Sequence, residues 1–97
     1  MKPTNNENIV RLANEIISTI KKKNHDYGNA FAKRYAEHGD VVGSIHISEK
    51  ADRIASLIHV NAEVDESIDD ALMDCAGYCL LTLDQRLQHR NKEEKKF

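Results

Sequence analysis

VDESIDDALMDCAGYCLLTLDQRLQ, residues 64–88, is the stretch from which the fold of this chain is read. It opens on carboxylates, Asp65, Glu66, Asp69, Asp70 and Asp74, and passes into CAGYCLLTL, which carries no charge. At about 100° per residue, Ile68, Leu72, Cys75, Ala76, Cys79 and Leu83 cluster on one broad face, the side an amphipathic helix turns to its core. Asp70 and Asp74 fall on roughly the opposite side, and Tyr78 and Leu81 lie on or beside it further along. A helix that is apolar nearly all round is covered on two faces. Asp70 and Asp74 are therefore expected at the edge of a second covered surface, either a cleft or a subunit interface. Asp65, Glu66 and Asp69 have another explanation, because acidic residues in a first turn complement the helix dipole. Asp74 sits too far in for that, which makes it the more informative carboxylate.

Ninety-seven residues make one domain, and a small one. Oligomerisation is the simplest way to enlarge such a core. A net charge of −2 provides no basic field for nucleic acid, so direct nucleic-acid binding is not expected. The Lys21, Lys22, Lys23 run and the basic residues from Arg90 onward read as solvated helix ends or tail. Cys75 and Cys79, spaced i, i+4 in an apolar helix with no secretory signal ahead, read as reduced core residues. They lack the further ligands a zinc site needs. No apolar run is long enough to cross a membrane, so a cytoplasmic protein is expected.

Residues 1–6, MKPTNN, read as a loose lead-in, with Asn5 or Asn6 as a helix cap. From Glu7 to about Lys23, Ile9, Leu12, Ala13, Ile16, Ile17 and Ile20 recur at steps of three and four, the mark of an amphipathic helix. Asn24, Asp26, Gly28 and Asn29 are turn residues, so the chain is expected to break at HDYG. Ala30 to His38 then forms a short helix with Phe31, Ala32 and Tyr35 on one side, stopped by Gly39. Tyr27, Phe31 and Tyr35 follow one another at i, i+4, i+8, a spacing that most often serves ordinary packing and less often a surface for stacking on a base. DVVGSIHIS, residues 40–48, is expected to be a loop leading to Ser48 as a helix cap. Glu49 to Val60 follows as a helix with Ala51, Ile54, Ala55 and Ile58 inward. After a short connection the last helix runs to about His89, and residues 90–97 read as a mobile charged tail. The expectation is a single all-α domain over residues 1–97, a small antiparallel bundle of three long helices and one short one, assembling as a homo-oligomer.

The chemistry lies in carboxylates on two successive helices. Glu49 on one, and Glu66, Asp70 and Asp74 on the next, would converge on a hard cation such as Mg²⁺ or Mn²⁺ while waters complete its octahedron. Such an ion bridges phosphate oxygens, and a neighbouring carboxylate, Glu66 or Asp70, would align water for attack on phosphorus. Lys50 and Arg53 are near enough in sequence to balance phosphate charge. The alternative is an acidic stripe that merely faces solvent, which a chain with 31% charged residues readily produces. His25-Asp26 is an isolated dipeptide without the further ligands that metal phosphohydrolases require, and His38, His46, His59 and His89 read as surface or loop residues. No P-loop, GxGxxG or nucleophile elbow is present.

Three blocks, KNHDYGNAF (23–31), EKADRIASL (49–57) and VDESIDDALMDCAGYCLLTL (64–83), resemble the phage-associated nucleotide modification associated domain 1 family. Its members look like K-x-x-DYG-x-x-F, a central DK-x-x-R helix, and DES-x-x-D-x-L-x-D-x-A-x-Y. The pattern falls on Asp26, Tyr27, Gly28 and Phe31, on Lys50 and Arg53, and on Asp65, Glu66, Ser67, Asp70, Asp74 and Tyr78. Glu49 stands where the family has Asp. A fainter similarity links Glu49-x-x-Asp52 and Glu66-x-x-Asp69 to the ExxE…ExxD signature of MazG-like all-α pyrophosphatases, with Asp52 replacing Glu. The resemblance implies a small all-α protein tied to phage nucleotide metabolism or DNA modification, and with the carboxylates above the expectation is a protein binding a nucleotide or nucleotide-derived phosphate with Mg²⁺. Asp26, Tyr27, Phe31, Lys50 and Arg53 would contact the ligand; Glu49, Glu66, Asp70 and Asp74 would hold the metal. Hydrolysis of a nucleoside triphosphate to monophosphate and pyrophosphate is one version. A non-catalytic protein that sequesters a signalling nucleotide is another, and a purely structural module a third.

Overall fold

The computed structural model describes residues 6–27, 29–59 and 67–94, the side chains of 26, 27 and 92–94 excepted. The described residues are all helical: α1 (Glu7–Tyr27), α2 (Ala30–His38), α3 (Asp40–His59) and α4 (Ile68–Glu94). The expected three long helices and one short helix are present. None is long and apolar enough to cross a membrane.

Three boundaries differ from the sequence reading. Helix α1 continues through HDY to Tyr27, past the turn residues Asn24 and Asp26. The break comes later, where Asn29 takes a left-handed conformation with φ 61°, which its short polar side chain tolerates. Helix α4 runs on to Glu94, past the point where a loose tail was expected. The largest correction is α3, which begins at Asp40 and not at Ser48. Gly39 closes α2 as expected, donating its N–H to the Tyr35 carbonyl at 2.7 Å. Its φ of 74° with ψ of −153° is a conformation only glycine adopts easily. The chain turns there and re-enters a helix at once, with Asp40 in the first turn complementing the dipole. The β-branched residues of DVVGSIHIS favour extended backbone locally. Tertiary packing overrides that preference, because Val42, Gly43 and His46 all turn toward neighbouring helices.

Helices α3 and α4 form the most extensive pair, with α2 packed mainly on α3 and α1 on α4. Their register is explicit. Asp40 meets Arg86, Gly43 meets Thr82, His46 meets Tyr78 and Lys50 meets Asp74. Steps of three and four on α3 thus interlock with steps of four on α4, the combination that packs helices at roughly 20°. Gly43 makes this possible: a Cβ there would run into the Thr82 hydroxyl and lie 2.8 Å from its methyl group. On the other flank α1 crosses α4 at Gly77, whose nearest neighbours beyond its own helix are Ile16 and Ile20.

The faces chosen for packing are not those the helical wheels favoured. Among the described residues, Tyr35, Val42, Leu57 and Ala71 are the buried apolar ones. On α4 the stripe Ile68, Leu72, Cys79 and Leu83, expected to be core, is exposed, and the opposite side packs. On α3 Ala51, Ala55 and Ile58 are likewise exposed, while Ile54 and Leu57 turn inward. Cys75 is half-buried and Cys79 exposed, both as free thiols. A wheel with apolar residues on both sides cannot rank them; Gly43 and the aromatic side chains select the side that packs.

Candidate functional site

The packed side of α4 forms one wall of a cavity of about 740 Å³, within the size range of small-molecule sites. Helix α1 contributes Lys23 and Asn24, α2 Phe31 and Arg34, α3 His46, and α4 Asp70, Asp74 and Tyr78. Apolar flooring comes from Ile16, Met73 and Leu81.

One end of this cavity is aromatic. His46 and Tyr78 stack in parallel, with ring centroids 4.3 Å apart and an angle of 2° between their planes. Phe31 tilts against both, at 6.1 Å from His46 and 6.2 Å from Tyr78. Such rings offer broad polarizable faces with donors and acceptors at their edges. The register that places Gly43 against Thr82 also places His46 one turn further, against Tyr78. The reading of His46 as a surface or loop residue is therefore corrected: it is half-buried in the aromatic group.

The other end is ionic. Asp74 holds two ammonium groups, Lys50 Nζ at 3.3 Å from Oδ2 and Lys23 Nζ at 4.0 Å from Oδ1. Lys23 remains solvent-exposed, as its run predicts, and also borders the cavity. Asp70, one turn before Asp74, closes a capping box: its backbone N–H donates to Ser67 Oγ at 3.0 Å, and the Ser67 N–H reaches Asp70 Oδ2 at 3.5 Å. The S-x-x-D spacing of Ser67 and Asp70 carried that signal in the sequence.

A second polar cluster braces the site from behind. Tyr35 Oη and Arg86 Nη1 both donate to the Asp40 carboxylate, tying α2, α3 and α4 together. The hydrogen bond to Asp40, then burial, then the Asp40 charge push the Tyr35 phenol above its ordinary value, with Arg86 opposing. Burial first, then the neighbouring Cys79, push the Cys75 thiol above its ordinary value.

Of the residues singled out in the sequence, Phe31, Asp70 and Asp74 line the cavity and Lys50 reaches it through Asp74. Glu49 and Arg53 are exposed on α3 and are not among the lining residues. Glu66 and the side chains of Asp26 and Tyr27 lie outside the described residues. Among the described residues, no three of His, Cys, Asp and Glu gather closely enough to hold a metal ion. Sequence reasoning missed Lys23, Arg34 and His46 as wall residues. It carried Tyr78 as a family position without assigning it a role.

A family model described as nucleotide modification associated domain 1 matches residues 23–85. The match covers every cavity residue named above except Ile16. No curated protein and no solved structure matches the chain.

Proposed function

The chain belongs to the nucleotide modification associated domain 1 family, and from that premise we propose that it binds a nucleotide in the cavity between its four helices. The supporting observation is the division of that cavity into an aromatic end, Phe31, His46 and Tyr78, and a basic end where Lys23 and Lys50 meet Asp74, with Arg34 a further cation on the lining. A base fits the first by stacking and edge hydrogen bonds. A phosphate fits the second, where it would take over the ammonium groups now held by Asp74. Phe31, Lys50, Asp70, Asp74 and Tyr78 are positions of the family pattern drawn from three helices, and their gathering at one cavity supports the same reading. The frame would be an antiparallel bundle, a view supported by α4 partners that fall in number as α3 rises. The expected setting is the cytoplasmic nucleotide pool, in a phage-infected cell if the chain is phage-encoded.

In the simplest form the protein retains its ligand and sequesters it. Asp70 and Asp74 on the cavity wall, one turn apart, favour a second form. With Glu66 and Glu49 they would hold Mg²⁺ or Mn²⁺ delivered with a triphosphate, and Glu66 or Asp70 would orient water for release of pyrophosphate. That form rests on the MazG-like signature and on Glu66, and Tyr27, Asp26 and Arg53 would complete its ligand contacts. The test is a panel of canonical and modified nucleotides, with and without Mg²⁺, recovered by mass spectrometry after incubation. At least one nucleotide is expected to bind, and Arg34→Ala, at an exposed residue, should weaken it about tenfold, the loss of one charged contact worth about 1.4 kcal/mol. Recovery of intact ligand supports sequestration; pyrophosphate release supports the hydrolase. Failure of the whole panel to bind overturns the proposal.

A further inference from the structure

The cavity between the helices is continued along α4 by a smaller pocket of about 300 Å³, and the two share Asn24, Phe31 and Leu81. Past these residues the pocket is lined by polar side chains, Asp84, Gln85 and Gln88 from α4 and Asn29 ahead of α2. A helix rises about 1.5 Å per residue, so α4 presents Asp70 and Asp74 first, then Tyr78, then Leu81, then Gln85. The pocket therefore lies beyond the aromatic end, on the far side of it from the ammonium groups at Asp74. Gln85 is 8% exposed, and its amide hydrogen-bonds to no described residue. No buried polar side-chain atom among the described residues lacks a partner, so the Gln85 amide keeps some open surface, and that surface faces the pocket it lines. An amide held this deep is costly unless a group in the pocket satisfies it. Among the described residues no Lys, Arg or His lines the pocket, and its charge is Asp84, to whose carboxylate Gln88 donates at 2.7 Å. An anion is repelled there. A neutral hydroxyl suits it, because a hydroxyl both donates and accepts and so meets an amide in either orientation.

We infer, resting on the nucleotide reading above, that this pocket takes a neutral hydroxyl-bearing substituent carried by the base, so that the ligand class is a nucleotide modified on its base. With phosphate at the two lysines and the base against His46 and Tyr78, a group projecting from the base away from the phosphate enters the amide-lined pocket. Long helical side chains lean toward the N-terminus of their helix, which brings the Gln85 amide back over Leu81 toward such a group. An unmodified base leaves that amide unmet. An apolar substituent also leaves it unmet and shuts it off from solvent as well, and this penalty is what discriminates between ligands that otherwise have the same shape.

Calorimetric titration of the full chain with two pairs of probes tests this: 5-hydroxymethyl-dCMP against 5-methyl-dCMP, and 5-hydroxymethyl-dUMP against dTMP. The members of each pair differ by one hydroxyl. In at least one pair the hydroxymethyl nucleotide is expected to bind about tenfold more tightly, the worth of one satisfied amide. Gln85→Leu, close in shape but without the amide, should bring that ratio to about one. Where this variant does not fold, Gln88→Ala, at an exposed position, should lower the ratio several-fold, and an unchanged ratio there counts against the pocket. Equal affinities within both pairs overturn the inference and leave the nucleotide reading standing. A preference that a folded Gln85→Leu keeps does the same, as does failure of all four probes while another nucleotide binds. If no nucleotide binds at all, the nucleotide reading falls and the inference falls with it.

Discussion

The two long sides of α4 have opposite fates. One side presents Asp74, Tyr78, Thr82 and Arg86, and each meets a named partner on α3. The other presents Leu72, Cys79 and Leu83 and stays exposed in the single chain. By transfer free energy alone the second side should have been buried first, at about 25 cal/mol per Å². What selected the first is shape and pairing. Gly43 lets the backbones approach, His46 lies flat on Tyr78, and Asp40 takes two donors. Apolar content says that a surface tends to be covered; complementarity decides which side is.

The largest effect is expected where shape decides the contact. Gly43→Ala adds a Cβ that runs into the Thr82 hydroxyl, which is fixed by its own donation to the Tyr78 carbonyl at 2.7 Å. Alanine gains about 1 kcal/mol of helix propensity over glycine, but overpacking an interhelical contact costs about 1–3 kcal/mol. A net loss of up to about 2 kcal/mol is expected at every protein concentration, seen as a lower Tm. Adding Thr82→Ala should recover most of it. A Gly43→Ala protein that melts higher than its parent would show that α3 and α4 do not touch here.

Next in size is the brace formed by Tyr35, Asp40 and Arg86. Tyr35→Phe removes the donation of a buried phenol to the half-exposed Asp40 carboxylate, for an expected loss of about 1 kcal/mol. Its pH dependence follows from the raised phenol. Above the ordinary value of 10.0 the unfolded tyrosine ionises while the folded one stays protonated, so this contribution is complete below about pH 10 and fades as pH climbs through the folded value. The stability gap between parent and variant should therefore be constant in the neutral range and narrow on the alkaline side. A gap that widens above pH 10 would contradict the pairing of Tyr35 with Asp40.

This asymmetry also explains what was legible in the sequence. Helix number and class were readable because Ile9, Leu12, Ile16 and Ile20 on α1, and the run from Ile68 to Leu83 on α4, keep a helical period over several turns. The start of α3 was not, since Val41, Val42 and Ile45 argue locally for extended chain and Gly43 for a break, while its reason for being there, Thr82, lies far along the chain. At the site, Asp70, Asp74, Phe31 and Lys50 could be named from pattern. His46, Lys23 and Arg34 could not, because each becomes a wall residue only through a crossing of helices that no local period encodes.

The smallest effect on stability, and the one that best separates the two forms of the proposed function, belongs to Asp74. Its pairs with Lys50 and Lys23 are partly exposed, so screening by solvent leaves Asp74→Asn a change of well under 1 kcal/mol in folding. The consequence for ligand binding is larger and differs in sign. If phosphate is held by the two lysines, the native carboxylate competes with it, and neutralising Asp74 should raise affinity for a nucleotide several-fold without Mg²⁺. If Asp74 instead helps hold the cation that carries the phosphate, the same variant should lose Mg²⁺-dependent binding and any release of pyrophosphate. Calorimetric titration of parent and Asp74→Asn, each with and without Mg²⁺, reads both signs. The lysine-held phosphate is the outcome expected, because Asp74 already has both ammonium groups as neighbours and no third carboxylate, His or Cys joins it and Asp70 among the described residues.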